Sequence, residues 1–309
     1  MKYSKFIIII LIILITACDL TSPERFENDE LVIAGYLQAG KPVSIDNPIF
    51  IGKTISTEGG NFMDIYLEHA LVTIENIDEA HKDTLYFGIY QYKIGYYNDD
   101  LLIKAGNTYK IEVKAVIDSM PVYAYAFTTV PDSIYLDLDY KDLATAEYGF
   151  ADEYDEILPQ IPYDEIEDNF PVYSRYYDDS VVYTYYNYYC LEEFSTDLEF
   201  TEPIMGYEHL EEDDEDSYNS PLSRNMRESS MIWRYQPLQD DEGNWYLLEE
   251  TYDGGFSYYG RYRLTIYSVD QNFYTYKYHS ESYFYGGIEG GIGYFGSVAG
   301  EDFYTKVTK

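Results

Sequence analysis

The feature that most limits the fold of this chain is a strict alternation of apolar and polar side chains at positions 109–115. The seven residues in order are Tyr109, Lys110, Ile111, Glu112, Val113, Lys114 and Ala115. Because successive side chains of a β-strand point to opposite faces of its sheet, this pattern predicts a strand with one buried and one solvated face. The expected fold is therefore built on β-structure.

Five other segments in the first half of the chain have the composition of short strands. They are 31–37, 43–51, 70–77, 84–90 and 122–129. Glycine, proline and asparagine residues at 40–42, 59–61 and 105–107 mark turns between them. Several short antiparallel strands at this spacing predict a β-sandwich over residues 31–131, which ends where the strand pattern stops at Pro131.

Residues 132–309 are predicted to form a second, β-rich domain with acidic insertions. Further strands are predicted at 172–177, 181–190, 231–236, 245–250, 261–269 and 302–307. The first two of these are interpreted as one hairpin, and the next two as another. A short helix is preferred over 271–283, and 142–158 could hold a second one. The predicted fold class is therefore mainly β, with one or two short helices in the second domain.

The composition supports a folded chain in spite of its acidity. The net charge is -36, and the aromatic residues are 40 Tyr and 15 Phe against 2 Trp. Tyrosine favours pleated, half-buried surfaces, so most tyrosines are expected in the core or in cross-strand pairs, with some exposed patch remaining. Nucleic acid and anionic lipid surfaces are poor partners for such a chain, because binding phosphate requires a basic footprint.

The N-terminus has the form of an export signal. Two lysines among the first five residues precede the apolar run 6–15. That run is too short to span a bilayer, which requires roughly 20 apolar residues in a helix. Residues 1–17 are therefore predicted to be a signal peptide.

The end of this segment predicts lipidation. Ile15, Thr16, Ala17 and Cys18 resemble the lipobox that bacterial lipoprotein signal peptidase cleaves before the cysteine. Acyl chains on Cys18 would contribute ~0.8 kcal/mol per buried CH₂, enough for stable anchoring. The alternative is an ordinary signal peptide that ends with a chance cysteine. If Cys18 is lipidated, residues 18–30 form an acidic tether between the lipid and the folded body.

The tether and the second cysteine add two expectations. The acidic residues of 19–30 favour the outer membrane over the inner membrane, with exposure at the cell surface left open. Cys190 has no disulfide partner once Cys18 is lipidated. Because it lies among tyrosines with no basic neighbour in sequence, Cys190 is predicted to be a small buried residue.

No catalytic residues are predicted from motifs. The four histidines are scattered, and the glycines at 291–296 lack the strand, helix and acidic residue of a dinucleotide-binding loop. No cofactor besides the lipid is expected. One acidic run could bind Ca²⁺ weakly, but a solvated loop is preferred because the run lacks EF-hand spacing. Its candidate ligands are Glu211, Glu212, Asp213, Asp214 and Asp216.

Five segments together resemble a known family, the Bacteroidetes-type lipoproteins catalogued as domain of unknown function 4249. They are the lipobox at Cys18, LVIAGYL at 31–37, AGNTYKI at 105–111, TVPDSI at 129–134 and GGIGYFG at 290–296. The resemblance implies an outer-membrane lipoprotein with an N-terminal immunoglobulin- or transthyretin-like sandwich. It also implies accessory work beside TonB-dependent receptors, and it carries over no catalytic residue.

Three hypotheses for the function follow, in order of preference. The first is a non-enzymatic accessory or ligand-binding lipoprotein that acts with a TonB-dependent transporter in nutrient uptake. The second is a surface adhesin or structural envelope protein that uses its tyrosine-rich, acidic surface. The third is a glycan-active enzyme, which would need two acidic side chains at a set separation in a cleft.

Overall fold

The structure is a computed structural model that confirms the mainly β fold class. It describes residues 29–55, 62–132, 135–136, 150–151, 153–155, 157–165, 172–176, 182–192, 199–201, 227–239, 241–243, 245–249, 255–279, 284 and 286–309. Within these ranges the chain forms three sheets, one α-helix and two short 3-10 helices. The predicted helix at 142–158 lies mostly outside the described residues.

The first sheet has seven strands and contains both the first and the last strand of the chain. Six of them follow the order β13 (Glu228–Tyr235), β12 (Val182–Cys190), β16 (Gly260–Val269), β18 (Ile292–Thr308), β1 (Leu31–Gln38) and β3 (Phe50–Lys53). The seventh, β10 (Gln160–Pro162), also pairs with β18. Strand β18 is parallel to β1 and β10 and antiparallel to β16.

The other two sheets have seven and four strands. The larger has the order β17 (Ile288–Glu289), β8 (Met120–Thr129), β7 (Thr108–Ile117), β4 (Leu71–Asn76), β5 (His81–Tyr90), β6 (Lys93–Leu102) and β2 (Pro42–Val43). The smaller has the order β14 (Leu238–Gln239), β15 (Trp245–Glu249), β11 (Val172–Tyr176) and β9 (Tyr135–Leu136). The helix α1 is Gln271–Tyr278, and the 3-10 helices are Phe62–Ile65 and Tyr163–Glu165.

The first core lies between the two seven-stranded sheets, which pack in a sandwich-like arrangement. Ile33 of β1 and Ile51 of β3 join Ile74, Ile111 and Ala126 of the facing sheet in one buried cluster. The alternation that predicted β7 is confirmed at Tyr109, Ile111 and Val113, which are buried while Lys110 and Lys114 are not. Burial of such side chains stabilises the fold by about 1.5–3 kcal/mol each.

The second core is rich in tyrosine and lies on the β12 and β16 part of the first sheet. Tyr186, Tyr188 and Tyr262 are buried there together with Phe256. The Phe256 ring meets the rings of Tyr188 and Tyr262 edge to face, with centroid separations of 5.0 and 4.9 Å. The expectation that many tyrosines are core residues is met in this cluster, where aromatic contacts replace much of the usual aliphatic packing.

The pairing of β1 with β18 brings the two predicted domains into one sheet. Gly293 lies at the start of that pairing with φ +107°, and a Cβ there would be 2.0 Å from the Ile33 carbonyl oxygen. Glycine is therefore required at this close approach of two backbones. The division into 31–131 and 132–309 stays a prediction, and the shared sheet shows that residues from both segments build a common layer.

The strand pairs predicted for both hairpins in the second half are wrong, although the strands on either side of the second predicted turn, β14 and β15, do pair antiparallel. Strand β11 pairs with β9 and β15, whereas β12 pairs with β13 and β16 in another sheet. Strand β15 pairs with β14 and not with β13. Local turn composition predicted neighbours in sequence, but long-range pairing determined the sheets.

Two strand predictions in the first half also need correction. The predicted strand 43–51 is divided into β2 and β3, because residues 44–49 form a turn in which Asn47 N–H donates to the Ser44 carbonyl oxygen at 3.1 Å. Strand β6 was not predicted, since its Asn98-Asp99-Asp100 sequence disfavours a strand. Asn98 is accommodated because its amide donates to the Thr84 carbonyl oxygen at 3.2 Å.

The helix expected over 271–283 is confirmed for α1, Gln271–Tyr278. It begins after Asp270, whose carboxylate accepts a hydrogen bond from the Phe273 backbone N–H at 2.9 Å and caps the helix. At eight residues α1 is short, and no helix within the described ranges has the length and apolar character needed to cross a bilayer.

Candidate functional site

Most residues that the sequence analysis singled out lie outside the described part of the chain. Cys18 and the lipobox residues Ile15, Thr16 and Ala17 are among them, and so is the acidic run 211–216 that was considered for Ca²⁺. Lipidation and calcium binding at these positions therefore stay predictions. Among the described residues, no group of three or more histidine, cysteine or acidic side chains is placed to hold a metal ion.

The end of the acidic tether is described and is fixed to the body. Asp29 accepts a hydrogen bond from the Lys53 ammonium at 2.5 Å, and Lys53 also lies 3.5 Å from Asp118 in the turn between β7 and β8. Glu30 and Thr54 exchange hydrogen bonds of 2.8 and 3.0 Å. The chain therefore enters the body beside the β7–β8 turn.

An exposed row of aromatic side chains runs along β8, and we call Tyr123, Tyr125 and Phe127 the aromatic row. Tyr123 and Phe127 are 43% and 46% exposed, whereas the intervening Ala124 and Ala126 are buried. The rings follow one another at centroid separations of 5.9 Å. Alternation along the strand thus places large aromatic side chains on the outer face of the sheet.

Two glycines before β18, Gly290 and Gly291, lie close to β8. A Cβ on Gly290 would lie 2.4 Å from the Tyr123 carbonyl oxygen, and one on Gly291 would lie 3.5 Å from Ala124 Cβ. Gly291 also approaches the Leu31 carbonyl oxygen of β1, which a Cβ would meet at 2.5 Å. These close contacts with backbone oxygens require glycine at positions 290 and 291, and the aromatic residues of β8 lie on the other face of the strand.

Lysines of β7 lie over the rings of the aromatic row. The Lys110 ammonium is 5.3 Å from the Tyr125 ring centroid and 5.7 Å from that of Phe127. The Lys114 ammonium is 6.0 Å from the Tyr123 centroid. Such cation–π contacts are worth about 0.5–1 kcal/mol at exposed sites, so they restrain the lysine and aromatic side chains only weakly.

Glu112 connects these lysines to the row. Its carboxylate accepts hydrogen bonds from Lys82, from the Tyr123 hydroxyl at 2.7 Å and from Lys110 at 3.0 Å. These donors, with Lys82 the largest contributor, hold the pKa of Glu112 at about 2. The outer face of this sheet therefore carries paired charges of both signs in a chain that is acidic overall.

The row is also joined to the C-terminal part of the chain. Glu289 of β17 pairs with Tyr125 across the sheet edge, and its carboxylate accepts a hydrogen bond from the Tyr125 hydroxyl. This hydrogen bond is the main reason why the pKa of Tyr125 is raised. The sequence analysis did not predict this contact, because residues 125 and 289 are far apart along the chain.

An apolar cleft opens at the end of the sheet where the aromatic row begins. It has a volume of about 910 Å³, within the range of small-molecule sites, and its walls are the 62–70 segment and the ends of β4, β7 and β8. Three of its lining side chains, Met63, Leu71 and Val116, are 40%, 51% and 63% exposed. Tyr123 lines the cleft as well and so links it to the row.

A second cleft of about 780 Å³ is polar and lies between the β1–β2 turn and β16 and β18. Lys41, Lys104, Glu301 and Asp302 contribute charges to its walls. The Tyr267 hydroxyl faces it and accepts a hydrogen bond from the Gln38 amide at 3.3 Å. Charges of both signs are available to a polar ligand in this cleft.

Asp270 forms a junction between α1 and both seven-stranded sheets. Besides capping α1, its carboxylate accepts hydrogen bonds from the Thr128 hydroxyl of β8 at 2.7 Å and from the Ser297 N–H of β18 at 3.1 Å. Loss of hydration raises the pKa of Asp270 to about 6, and the hydrogen bonds only partly offset this effect. The sequence analysis did not single out Asp270, although an aspartate directly before a predicted helix is typical of an N-cap.

Tyrosine side chains also stack between α1 and β12. The Tyr183 and Tyr274 rings are 4.4 Å apart, and the Tyr274 and Tyr278 rings are 5.4 Å apart with an interplanar angle of 12°. Tyr278 is 65% exposed at the end of this stack. The expectation of tyrosine-rich clusters, partly core and partly surface, is confirmed in this region.

Cys190 is buried, as predicted, in the tyrosine-rich second core. Burial is the main reason why the pKa of its thiol is raised, and it outweighs the opposing effect of Arg227. A thiol with a raised pKa that is closed to solvent is a poor nucleophile and a poor metal ligand. Cys190 therefore has the properties of a packing residue.

A scan against models of protein families finds no match to this chain, and a search of curated proteins also finds none.

Proposed function

We propose that this protein is a non-enzymatic, lipid-anchored accessory protein of the outer membrane that binds a TonB-dependent nutrient transporter. The lipobox at Cys18 and the acidic tether support the location. The single observation that carries the binding role is the aromatic row on the outer face of β8, which leaves two large aromatic side chains more than 40% exposed.

The arrangement of the row favours a protein partner over a sugar. Lys110 and Lys114 lie over the ring faces that a sugar would need for stacking. Protein interfaces, in contrast, are enriched in tyrosine and phenylalanine at their centre and surround them with polar groups that retain water. The charged network around Glu112 supplies such a rim beside Tyr125 and Phe127.

The row is also rigid enough to serve as a contact surface. Tyr125 is held by Glu289 and Tyr123 by Glu112, so these side chains lose little conformational entropy on binding. Both lie on a ten-residue strand that is fully paired with β7 on one side. A preorganised aromatic surface of this kind fits recognition of a partner without a chemical step.

The test is recovery of the transporter from detergent-solubilised outer membranes with the tagged, full-length protein as bait. We expect a TonB-dependent transporter to be recovered with the natural protein. The double substitution Tyr125→Ser and Phe127→Ser should reduce that recovery by about tenfold or more, because aromatic residues at the centre of an interface contribute about 2 kcal/mol or more each.

Tyr86→Ser combined with Tyr90→Ser is the matched control. These tyrosines of β5 are 64% and 57% exposed and lie outside the aromatic row. The control variant should recover the transporter as the natural protein does. Urea unfolding of all variants checks that each one is folded under the conditions of the experiment. Recovery of the bait without any transporter, or equal losses in both variants, would contradict the proposal.

A further inference from the structure

We propose that one end of the folded body lies on the lipid surface to which the chain is tethered. This end carries the exposed side chains of Met63, Leu71, Val116 and Met120, and we call these four residues the apolar end. The inference rests on the lipid anchor of the proposed function, but it concerns a neighbouring surface that meets the aromatic row at Tyr123. Its partner is the bilayer itself.

All four side chains are exposed, and three of them share one cleft. Their exposed fractions are 40%, 51%, 63% and 57% in the order Met63, Leu71, Val116, Met120. The first three line the apolar cleft, and Met120 precedes Pro121 of the same cleft. Single exposed apolar residues are normal on a protein surface, whereas a contiguous group marks an interaction site.

The apolar end is also where the tether enters the body. Lys53 contacts both Asp29, the first described residue, and Asp118, which lies between Val116 and Met120 in the β7–β8 turn. The segment that carries Met63 is joined to the same place, because the Leu67 N–H donates to the Ile51 carbonyl oxygen of β3 at 3.2 Å. Three separate segments thus converge at the tether.

The tether is short enough to keep this end of the body near the bilayer. Asp29 is eleven residues from Cys18, and a chain spans at most ~3.6 Å per residue, so the two are at most about 40 Å apart. Because the chain is attached to the bilayer, the residues beside the attachment point experience a high effective concentration of lipid surface. Contacts that are weak in a free protein can therefore persist in a tethered one.

The chemistry of the apolar end fits the headgroup boundary of a bilayer. Tyr66 and Tyr123 border the cleft, and tyrosine combines an apolar ring with a polar tip suited to a membrane interface. Asp64, Glu68 and Asp118 lie at the same end together with Lys53 and Lys114, and these charges oppose deep insertion. The expected contact is shallow and occurs on zwitterionic lipid.

The test uses the mature chain, residues 19–309, attached by an N-terminal histidine tag to phosphatidylcholine vesicles that contain a nickel-chelating lipid. Attachment then does not depend on Cys18. A negative result here therefore concerns the apolar end alone, and a negative result in the test of lipidation concerns Cys18 alone. An environment-sensitive fluorophore is placed on Leu71→Cys. Cys190 is buried, so the introduced thiol is the accessible one.

Ile77→Cys is the matched control, because Ile77 follows the opposite end of β4 and is 42% exposed. Six residues of extended chain separate it from Leu71, which corresponds to about 20 Å. We expect attachment to the vesicles to shift the emission to shorter wavelength at position 71 and to leave position 77 unchanged. Val116→Cys replaces Leu71→Cys if that variant does not fold.

Three outcomes would overturn the proposal. They are no shift at either position, equal shifts at both, and a shift at position 71 that requires added solubilised transporter. The last would assign the apolar end to a protein partner. Quenching of the fluorophore by nitroxide-labelled lipid at position 71 alone would support the bilayer contact independently of the emission shift.

Discussion

Replacing Cys18 with alanine is expected to abolish incorporation of an alkyne-tagged fatty acid into the protein. The acyl chains require the cysteine sulfur and the new amino terminus, and the variant provides no sulfur at position 18. Each buried CH₂ contributes ~0.8 kcal/mol to membrane affinity, so loss of the chains removes essentially all of the anchoring energy. Gel fluorescence after metabolic labelling measures the effect directly.

Cys190→Ala is the matched control, because the sequence contains only these two cysteines. It removes a buried thiol from the second core, so it should lower stability modestly and leave labelling intact. Labelling that persists in Cys18→Ala, or that disappears in Cys190→Ala, would show that the lipidated residue has been misassigned.

Asp270→Asn is expected to raise the free energy of unfolding above that of the natural chain at pH 8. This difference between the two proteins should be about 2–3 kcal/mol larger at pH 8 than at pH 4. Folding raises the pKa of Asp270 from 3.8 to about 6. The folded state therefore binds the proton more tightly, and this contribution to stability is complete below pH 3.8 and is lost as the pH rises through 6. At about 1.4 kcal/mol per tenfold change in proton affinity, the loss is up to about 3 kcal/mol.

Asparagine removes this pH dependence and keeps the geometry. Its oxygen can accept from the Phe273 and Ser297 N–H groups, and its amide can donate to the Thr128 hydroxyl oxygen. Asp270→Ala also removes the pH dependence but loses the helix cap, so it should be less stable than Asp270→Asn by about 1 kcal/mol or more at every pH. Urea unfolding of all three proteins from pH 4 to pH 8 measures their free energies of unfolding. If the difference between Asp270→Asn and the natural chain does not vary with pH, this account of Asp270 is wrong.

The sequence predicted well where local pattern determines structure. The alternation at 109–115 identified β7 and its buried face, and an apolar, β-branched composition identified β1. The helix at Gln271–Tyr278 was also predicted, although its overall apolar pattern is weak. In each case the determining interactions are within the element or with one facing layer.

Prediction failed where strands from distant parts of the chain pair with each other. Nothing in the composition of 172–190 shows that β11 and β12 belong to different sheets, and the pairing of β1 with β18 joins residues more than 250 positions apart. The aromatic row illustrates the same limit. Its alternation is visible in the sequence, but which face points outward is known only once Ala124 and Ala126 are seen to be buried in the first core.

The proposed surfaces assign different parts of the body to different partners. The apolar end beside Asp29 would face lipid, and the aromatic row begins at that end with Tyr123 and extends away from it to Phe127. A body seated on the bilayer in this way would present Tyr125 and Phe127 sideways, toward a neighbouring membrane protein. The two proposals are therefore compatible, and each has its own experiment.

Photo-crosslinking from position 127 in intact outer membranes tests the binding role most directly. The full-length protein carries a photo-reactive phenylalanine analogue in place of Phe127, which keeps the aromatic ring, and the same analogue in place of Tyr86 is the exposed control on β5. The proposed function predicts that mass spectrometry finds peptides of a TonB-dependent transporter joined to position 127 and not to position 86. No crosslinked transporter at position 127, or the same products from both positions, would contradict it.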